Sequence, residues 1–170
     1  ARFLWNEEDY PVYRNGECDY FPLGEDYWCH MLHELKKAKR FIFMEYFIIE
    51  QGKMWDEILA ILKEKVDEGV EVRLMYDGTT AITKVPFTYH KEMEKLGIKT
   101  KVFKPIVPLL SLYQNHRDHR KILVIDNQVA FTGGVNLADE YINERELFGH
   151  WKDTGITVYG SAVRSFTNMF

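Results

Sequence analysis

Two short runs of this sequence carry side chains suited to bond-making chemistry. They are His119-Arg120-Lys121-Ile122-Leu123-Val124-Ile125-Asp126 and Thr132-Gly133-Gly134-Val135-Asn136. In an extended chain, residues two apart project to the same side, so His119 and Lys121 open into one space. An imidazole beside a fixed ammonium suits attack on an anionic phosphodiester. The neutral ring is a nucleophile and the protonated ring a general acid near neutral pH. The lysine offsets charge that develops on the non-bridging oxygens. Gly133-Gly134 would let backbone N–H groups approach a phosphate with no Cβ in the way, and the amide of Asn136 adds a donor. Asp126 has the opposite parity and falls at the strand's end, so its expected role is a supporting one.

These residues must be held by a scaffold, and the periodicity predicts one. Turn-forming residues between 1 and 24 suggest an irregular start. A helix from about Glu25 buries Trp28, Met31, Leu32 and Leu35 at helical spacing. Residues 41–50 read as a strand covered on both faces. A helix over 54–66 turns Trp55, Ile58, Leu59 and Leu62 inward, and residues 70–76 form the next strand, closed by Asp77-Gly78. A helix over 87–96 and a short strand at 101–103 follow. The hairpin predicted at 119–131 turns at Asp126-Asn127, with a short helix at 137–142 and a strand at 154–159 beyond it. A last helix starts near Ser161 as N-cap, with Val163, Phe166 and Phe170 on one face. The order points to an α/β fold with a mixed, largely parallel sheet flanked by helices on both faces. All of residues 1–170 read as one domain, and the abrupt ending suggests a fragment of a longer chain.

The motif H-x-K-x4-D followed by G-G-x-N resembles the signature of the phospholipase D superfamily, at His119, Lys121, Asp126, Gly133, Gly134 and Asn136. The glycine pair and the run Asn136-Leu137-Ala138-Asp139-Glu140-Tyr141-Ile142 resemble its cardiolipin synthase branch. So do Glu45-Tyr46-Phe47, Tyr76-Asp77-Gly78 and Trp151-Lys152-Asp153-Thr154-Gly155. The resemblance implies a phosphatidyltransferase half-domain that condenses two phosphatidylglycerol molecules into cardiolipin and glycerol through a phosphohistidine, without metal or cofactor. It also implies that Asp153 bonds the far nitrogen of the catalytic imidazole, and that a second histidine, from another motif in the parent chain or a dimer mate, protonates the leaving alcohol. The sequence holds one motif, so the fragment alone is expected to be inactive. A phospholipase D-type phosphodiesterase or a homodimeric nuclease of the same superfamily is the alternative. The parent protein is expected at the cytoplasmic membrane, acting on phospholipid at the membrane surface, with this piece itself soluble.

Composition bounds these readings. A net charge of -4 argues against a nucleic-acid partner, which calls for a basic footprint. The two cysteines, Cys18 and Cys29, form neither a disulfide framework nor a metal knuckle and read as reduced thiols. No apolar run is long enough to span a bilayer, and no signal peptide opens the chain. His116 and His119 make an H-x-x-H, but three-residue spacing on a strand points to opposite faces and zinc takes three or four ligands. Cys29, His30, His33 and Glu34 read as a solvated helical face. Glu45 interrupts an apolar strand and needs a partner, either in the site or as a buried ion pair. Asp77 reads as a turn former or as a residue facing a ligand crevice. The connection at 104–117 carries Leu109, Leu110 and Leu112, suited to a membrane or partner contact or to a local mini-core.

Overall fold

The computed structural model describes residues 10–14, 16–105 and 117–170; the leucine cluster and His116 lie outside them. Seven strands form one sheet: β1 (Glu17–Phe21), β2 (Phe41–Tyr46), β3 (Glu71–Asp77), β4 (Lys99–Phe103), β5 (Lys121–Ile125), β6 (Val129–Gly133) and β7 (Gly155–Tyr159). Among the described residues five helices accompany them: α1 (Gly24–Lys36), α2 (Lys53–Asp67), α3 (Thr80–Thr83), α4 (Tyr89–Lys95) and α5 (Val163–Met169). Short 3₁₀ turns lie at Asp139–Ile142 and Gly160–Ala162.

The strand order is β1-β7-β6-β5-β2-β3-β4. Only β2–β3 and β3–β4 are parallel; β1–β7, β7–β6, β6–β5 and β5–β2 are antiparallel. The sheet is mixed, as expected, but mostly antiparallel rather than largely parallel. Parallel neighbours need a crossover long enough to hold a helix. The connections carrying α2 and α4 supply two, whereas β5 and β6 are joined by a tight turn. The amino-terminal stretch, expected to be irregular, contains β1. Four of its five residues are exposed, so it shows none of the apolar alternation that marks a half-buried strand.

Helical spacing sets the packing. Tyr27, Trp28, Met31 and Leu35 of α1 and Met54, Trp55, Ile58, Ile61 and Leu62 of α2 are buried against one face of the sheet. There they join Ile42, Met44, Leu74, Leu123 and Phe131 in the main core. A smaller core of Ile122, Val124, Ala130 and Val163, with Phe43 and Phe166 beside it, lies between the opposite face and α5. All five residues of β5 are therefore buried. Among the described residues no helix is long and apolar enough to cross a membrane.

The β5–β6 turn places Asp126 and Asn127 at φ of 54° and 58°, the left-handed pair that two-residue hairpins favour. The Asp126 carboxylate accepts the backbone N–H groups of Lys39, Arg40 and Phe41, each at 2.8 Å, which pins the start of β2 to the end of β5. Asp126→Ala is expected to lower the unfolding free energy by about 2 kcal/mol, since charge-assisted hydrogen bonds are lost, with Asp126→Asn falling between. Urea denaturation measures this, and a loss under about 0.5 kcal/mol would contradict the assignment.

Candidate active site

The chemistry-bearing residues gather at one end of the sheet because β5 runs against β2. That register sets Tyr46 opposite Lys121, and Gly133 at the end of β6 opposite Gly155 at the start of β7. His119 precedes β5 and is exposed. Its ring centroid lies 4.8 Å from that of Phe47. The Lys121 ammonium sits 5.2 Å from the same Phe47 ring and donates to the His119 carbonyl at 2.8 Å. Phe47, which entered the sequence analysis only within the Glu45-Tyr46-Phe47 run and with no role, is thus a common floor for both groups.

Lys121 is 5% exposed. Burial pushes its ammonium down to about 8, while the Asp153 and Asp118 carboxylates oppose that fall. A cation held in dry surroundings is an incipient anion site, because an arriving phosphodiester replaces the missing water with opposite charge.

The glycine pair works differently from expectation. The Gly134 N–H is committed to the Thr154 carbonyl at 3.0 Å, so it is not a free phosphate donor. What the pair provides is close approach. A Cβ on Gly133 would strike the Thr154 carbonyl, and one on Gly134 would strike the Asp153 carboxylate. Asp153 is consequently seated beside Gly134, within electrostatic reach of Lys121. Among the described residues no hydrogen bond joins it to His119.

Asn136 is buried, with Oδ1 accepting the Ile48 N–H at 3.0 Å and Nδ2 donating to Tyr141 Oη at 2.8 Å. It fastens the glycine turn to the chain just past Phe47, a bond reinforced by Leu137 N–H to the Ile48 carbonyl at 3.1 Å. Asp126 stands apart from this group, at the far end of β5 and roughly 20 Å from His119 at about 3.3 Å per residue. Its role is to fix the β2–β5 register.

Other charged residues find structural partners. Asp77 Oδ1 accepts the N–H and hydroxyl of Thr79, each at 2.8 Å. Its Oδ2 accepts the Asp118 N–H at 3.1 Å, so it is a turn former that also anchors the segment leading to His119. Glu45 lies on the reverse face of the sheet, 2.6 Å from Arg120 Nη2. Asp118, unmarked in the sequence reading, bonds Arg120 Nε at 3.0 Å. Its one available signal was its place as the single acid in the basic run Arg117-Asp118-His119-Arg120-Lys121. The group at 29–34 disperses: Cys29 is exposed, His30 meets Tyr159 at 2.7 Å and Glu34 meets Lys37 at 2.6 Å.

The model of the family described as "Cardiolipin synthase, PLD-like domain" matches residues 31–166. Over 170 residues the chain is 57% identical to an uncharacterized protein of Streptococcus mutans serotype c, covering 100% of this chain and 37% of that protein. It is 37% identical over 161 residues to a cardiolipin synthase of Alkalihalophilus pseudofirmus, covering 94% of this chain and 32% of that one. The chain thus spans about a third of the length of these relatives. Among solved structures, NucT from Helicobacter pylori superposes with a TM-score of 0.68 at 14% identity, over 91% of this chain and 93% of that one; at that identity the likeness shows the fold.

The buried lysine generates a pH-dependent expectation. Dimethyl phosphate carries one negative charge across the neutral and alkaline range, so its binding reports the protonation of Lys121. Affinity followed by NMR shifts should be level below pH 8 and fall by up to about tenfold per pH unit above it. Lys121→Met should abolish the binding and raise the melting temperature. The wild-type lysine holds its proton less firmly folded than unfolded, so wild-type stability climbs as pH rises from about 8 towards the unfolded value near 10.5. The methionine variant should lack that climb; binding that stays flat to pH 10 would refute this account of the site.

Proposed function

The chain belongs to the family described as "Cardiolipin synthase, PLD-like domain", and from that premise we propose that it supplies one half of a phosphatidyltransferase site. The observation that carries the reading is the pairing of an exposed His119 with a buried Lys121 over Phe47. In this reading His119 Nε2 attacks the phosphorus of a phosphatidylglycerol, forming an N–P bond as the P–O bond to the glycerol headgroup breaks. The departing oxygen takes its proton from a second histidine, supplied by another motif of the parent chain or by a dimer mate. That histidine, now neutral, accepts the proton of an incoming phosphatidylglycerol hydroxyl, whose oxygen displaces His119. Two phosphatidylglycerols become cardiolipin and glycerol. His119 serves equally well as the acid of this pair if the partner histidine attacks.

Lys121 holds the non-bridging oxygens throughout. Asp153, seated by the glycine pair, orients the protonated imidazole once the halves assemble. Asn136 keeps the glycine turn in register with Phe47, and its second amide proton is available to the phosphate. The parent protein works at the membrane surface, where its lipid substrate resides.

A phosphodiesterase reading, either a phospholipase or a nuclease acting as a dimer, uses the same His119 and Lys121 with water as the acceptor. The net charge of -4 disfavours the nuclease branch.

Labelled phosphatidylglycerol vesicles separate these readings. The full-length parent protein should form cardiolipin, and His119→Ala should cut the rate at least about a thousandfold, the scale of losing a nucleophile or its acid. Residues 1–170 alone, shown monomeric by light scattering, should give no turnover. Phosphatidic acid or cleaved DNA in place of cardiolipin would replace this proposal with the phosphodiesterase one.

A further inference from the structure

Behind the site, on the opposite face of the sheet, lies a set of buried charges that the transfer chemistry leaves unused. Glu45 is 1% and Asp118 8% exposed. Asp118 Oδ1 accepts the Arg120 N–H at 3.2 Å, which closes a side-chain-capped turn with His119 at its centre. The same carboxylate takes Arg120 Nε at 3.0 Å, and the Asp118 N–H is held by Asp77 Oδ2 at 3.1 Å. Arg120 reaches on to Glu45 Oε1 at 2.6 Å and to the Met169 carbonyl of α5 at 2.9 Å. His119 is therefore exposed on its ring side and clamped on its backbone side.

Glu45 and Asp118 share Arg120, at 2.6 and 3.0 Å, and among the described residues neither Glu45 oxygen has a well-aligned hydrogen-bond partner. Two ionised carboxylates brought together on one guanidinium repel unless one keeps its proton. Burial, then the hydrogen bond and charge of Asp118, raise Glu45 to about 8 against the pull of Arg120. For Asp118 burial works upward too, but it is outweighed by the hydrogen bond from Glu45 and by Arg120, which leave it below the usual carboxylate range. The groups facing the pair are accounted for on each packed element: Asp77 from β3, Arg117 and Arg120 from the turn, the Met169 carbonyl from α5, and Tyr10 beside Arg120. Of the Glu45–Asp118 pair, Glu45 is the member placed to keep the proton.

We propose that Glu45, Asp118 and Arg120 are positioning residues, in which a protonated Glu45 donates to the Asp118 carboxylate and so holds the turn that aims His119. This rests on the transferase reading for its substrate, but not for its geometry. A purely stabilising role fits poorly, because buried ion pairs contribute little net stability compared with apolar packing. An apolar substitute would also lack the acceptor that caps the turn. A glutamine at position 45 keeps a donor of similar reach, whereas an alanine keeps none.

The experiment uses the full-length chain with Glu45→Gln, Glu45→Ala, Asp118→Asn and Asp118→Ala. It reads kcat and KM on phosphatidylglycerol vesicles, the ¹⁵N ring signals of His119, and the melting temperature. Misplacing a catalytic group by about 1 Å costs on the order of a hundredfold. Glu45→Ala and Asp118→Ala should therefore lower kcat by about that factor, with KM within about threefold, and broaden or split the His119 signals. Glu45→Gln and Asp118→Asn should recover most of the loss and restore single signals. Should Asp118→Ala not fold, the Glu45 pair carries the same comparison. The proposal is overturned if Glu45→Ala leaves kcat and the His119 signals unchanged, or if Glu45→Gln is as damaging as Glu45→Ala. If the wild type turns over no phosphatidylglycerol, the transferase reading fails, and the His119 signals still decide the positioning role.

Discussion

An ammonium buried at the end of the most enclosed strand is the constraint around which this structure is arranged. Lys121 continues β5, whose other four residues are apolar and covered on both faces. Removing that charge from water is costly, and the described neighbours return only part of the cost: the His119 carbonyl, the Phe47 ring and the fields of two carboxylates. The position is stable only because the rest of the strand is held rigidly. β5 is flanked by β2 and β6, stacked between two cores, and locked at its other end by Asp126. A residual demand for negative charge is thereby built into one spot, beside an imidazole left open to solvent.

The walls of that spot are joined by side chains from distant parts of the sequence. Glu50, four residues after Tyr46, accepts two bonds from Arg145 at 2.9 Å each and one from Lys84 at 2.7 Å. Arg145 also meets Glu140 at 2.6 Å. Asp139 accepts the N–H groups of Lys53 and Met54, at 3.1 and 2.9 Å, satisfying the start of α2 from outside the helix. Trp151 stacks edge-on against Tyr141 at 4.9 Å, and its backbone N–H donates to Asn143 Oδ1. The long connection from Gly134 to Thr154 has little regular structure of its own. These bonds give it a fixed path, and that path delivers Asp153 to the site.

Much of this was legible in the sequence, and the failures share a cause. The helices α1 and α2, the β5–β6 hairpin and the convergence of His119 with Lys121 follow from periodicity, which reports burial on one face. β1 escaped because an exposed edge strand has no buried face to report. The sense of the strand pairings escaped because direction depends on connections, and the 134–154 connection carries no pattern that reveals where it leads. The part played by Gly134 was misjudged for a related reason. A glycine signals that something comes close, and the sequence does not say whether it is a ligand or, as here, the Thr154 carbonyl and Asp153. Asp126 lies near the motif in sequence but at the other end of a strand in space.

The asymmetry of the pair bears on how a proposed half-site becomes whole. Lys121 is buried by its own domain and needs no partner to be desolvated, whereas among the described residues the His119 ring rests on Phe47 and is otherwise exposed. Transfer to a lipid hydroxyl rather than to water requires that the phosphorylated histidine be covered. In the proposed reading the described residues furnish the charge but not the cover, and a second unit would bring more than a proton donor. It would close the space over His119 while admitting an alcohol. The choice between synthesis and hydrolysis would then be set by the fit of the two halves, with the motif residues themselves the same in either case.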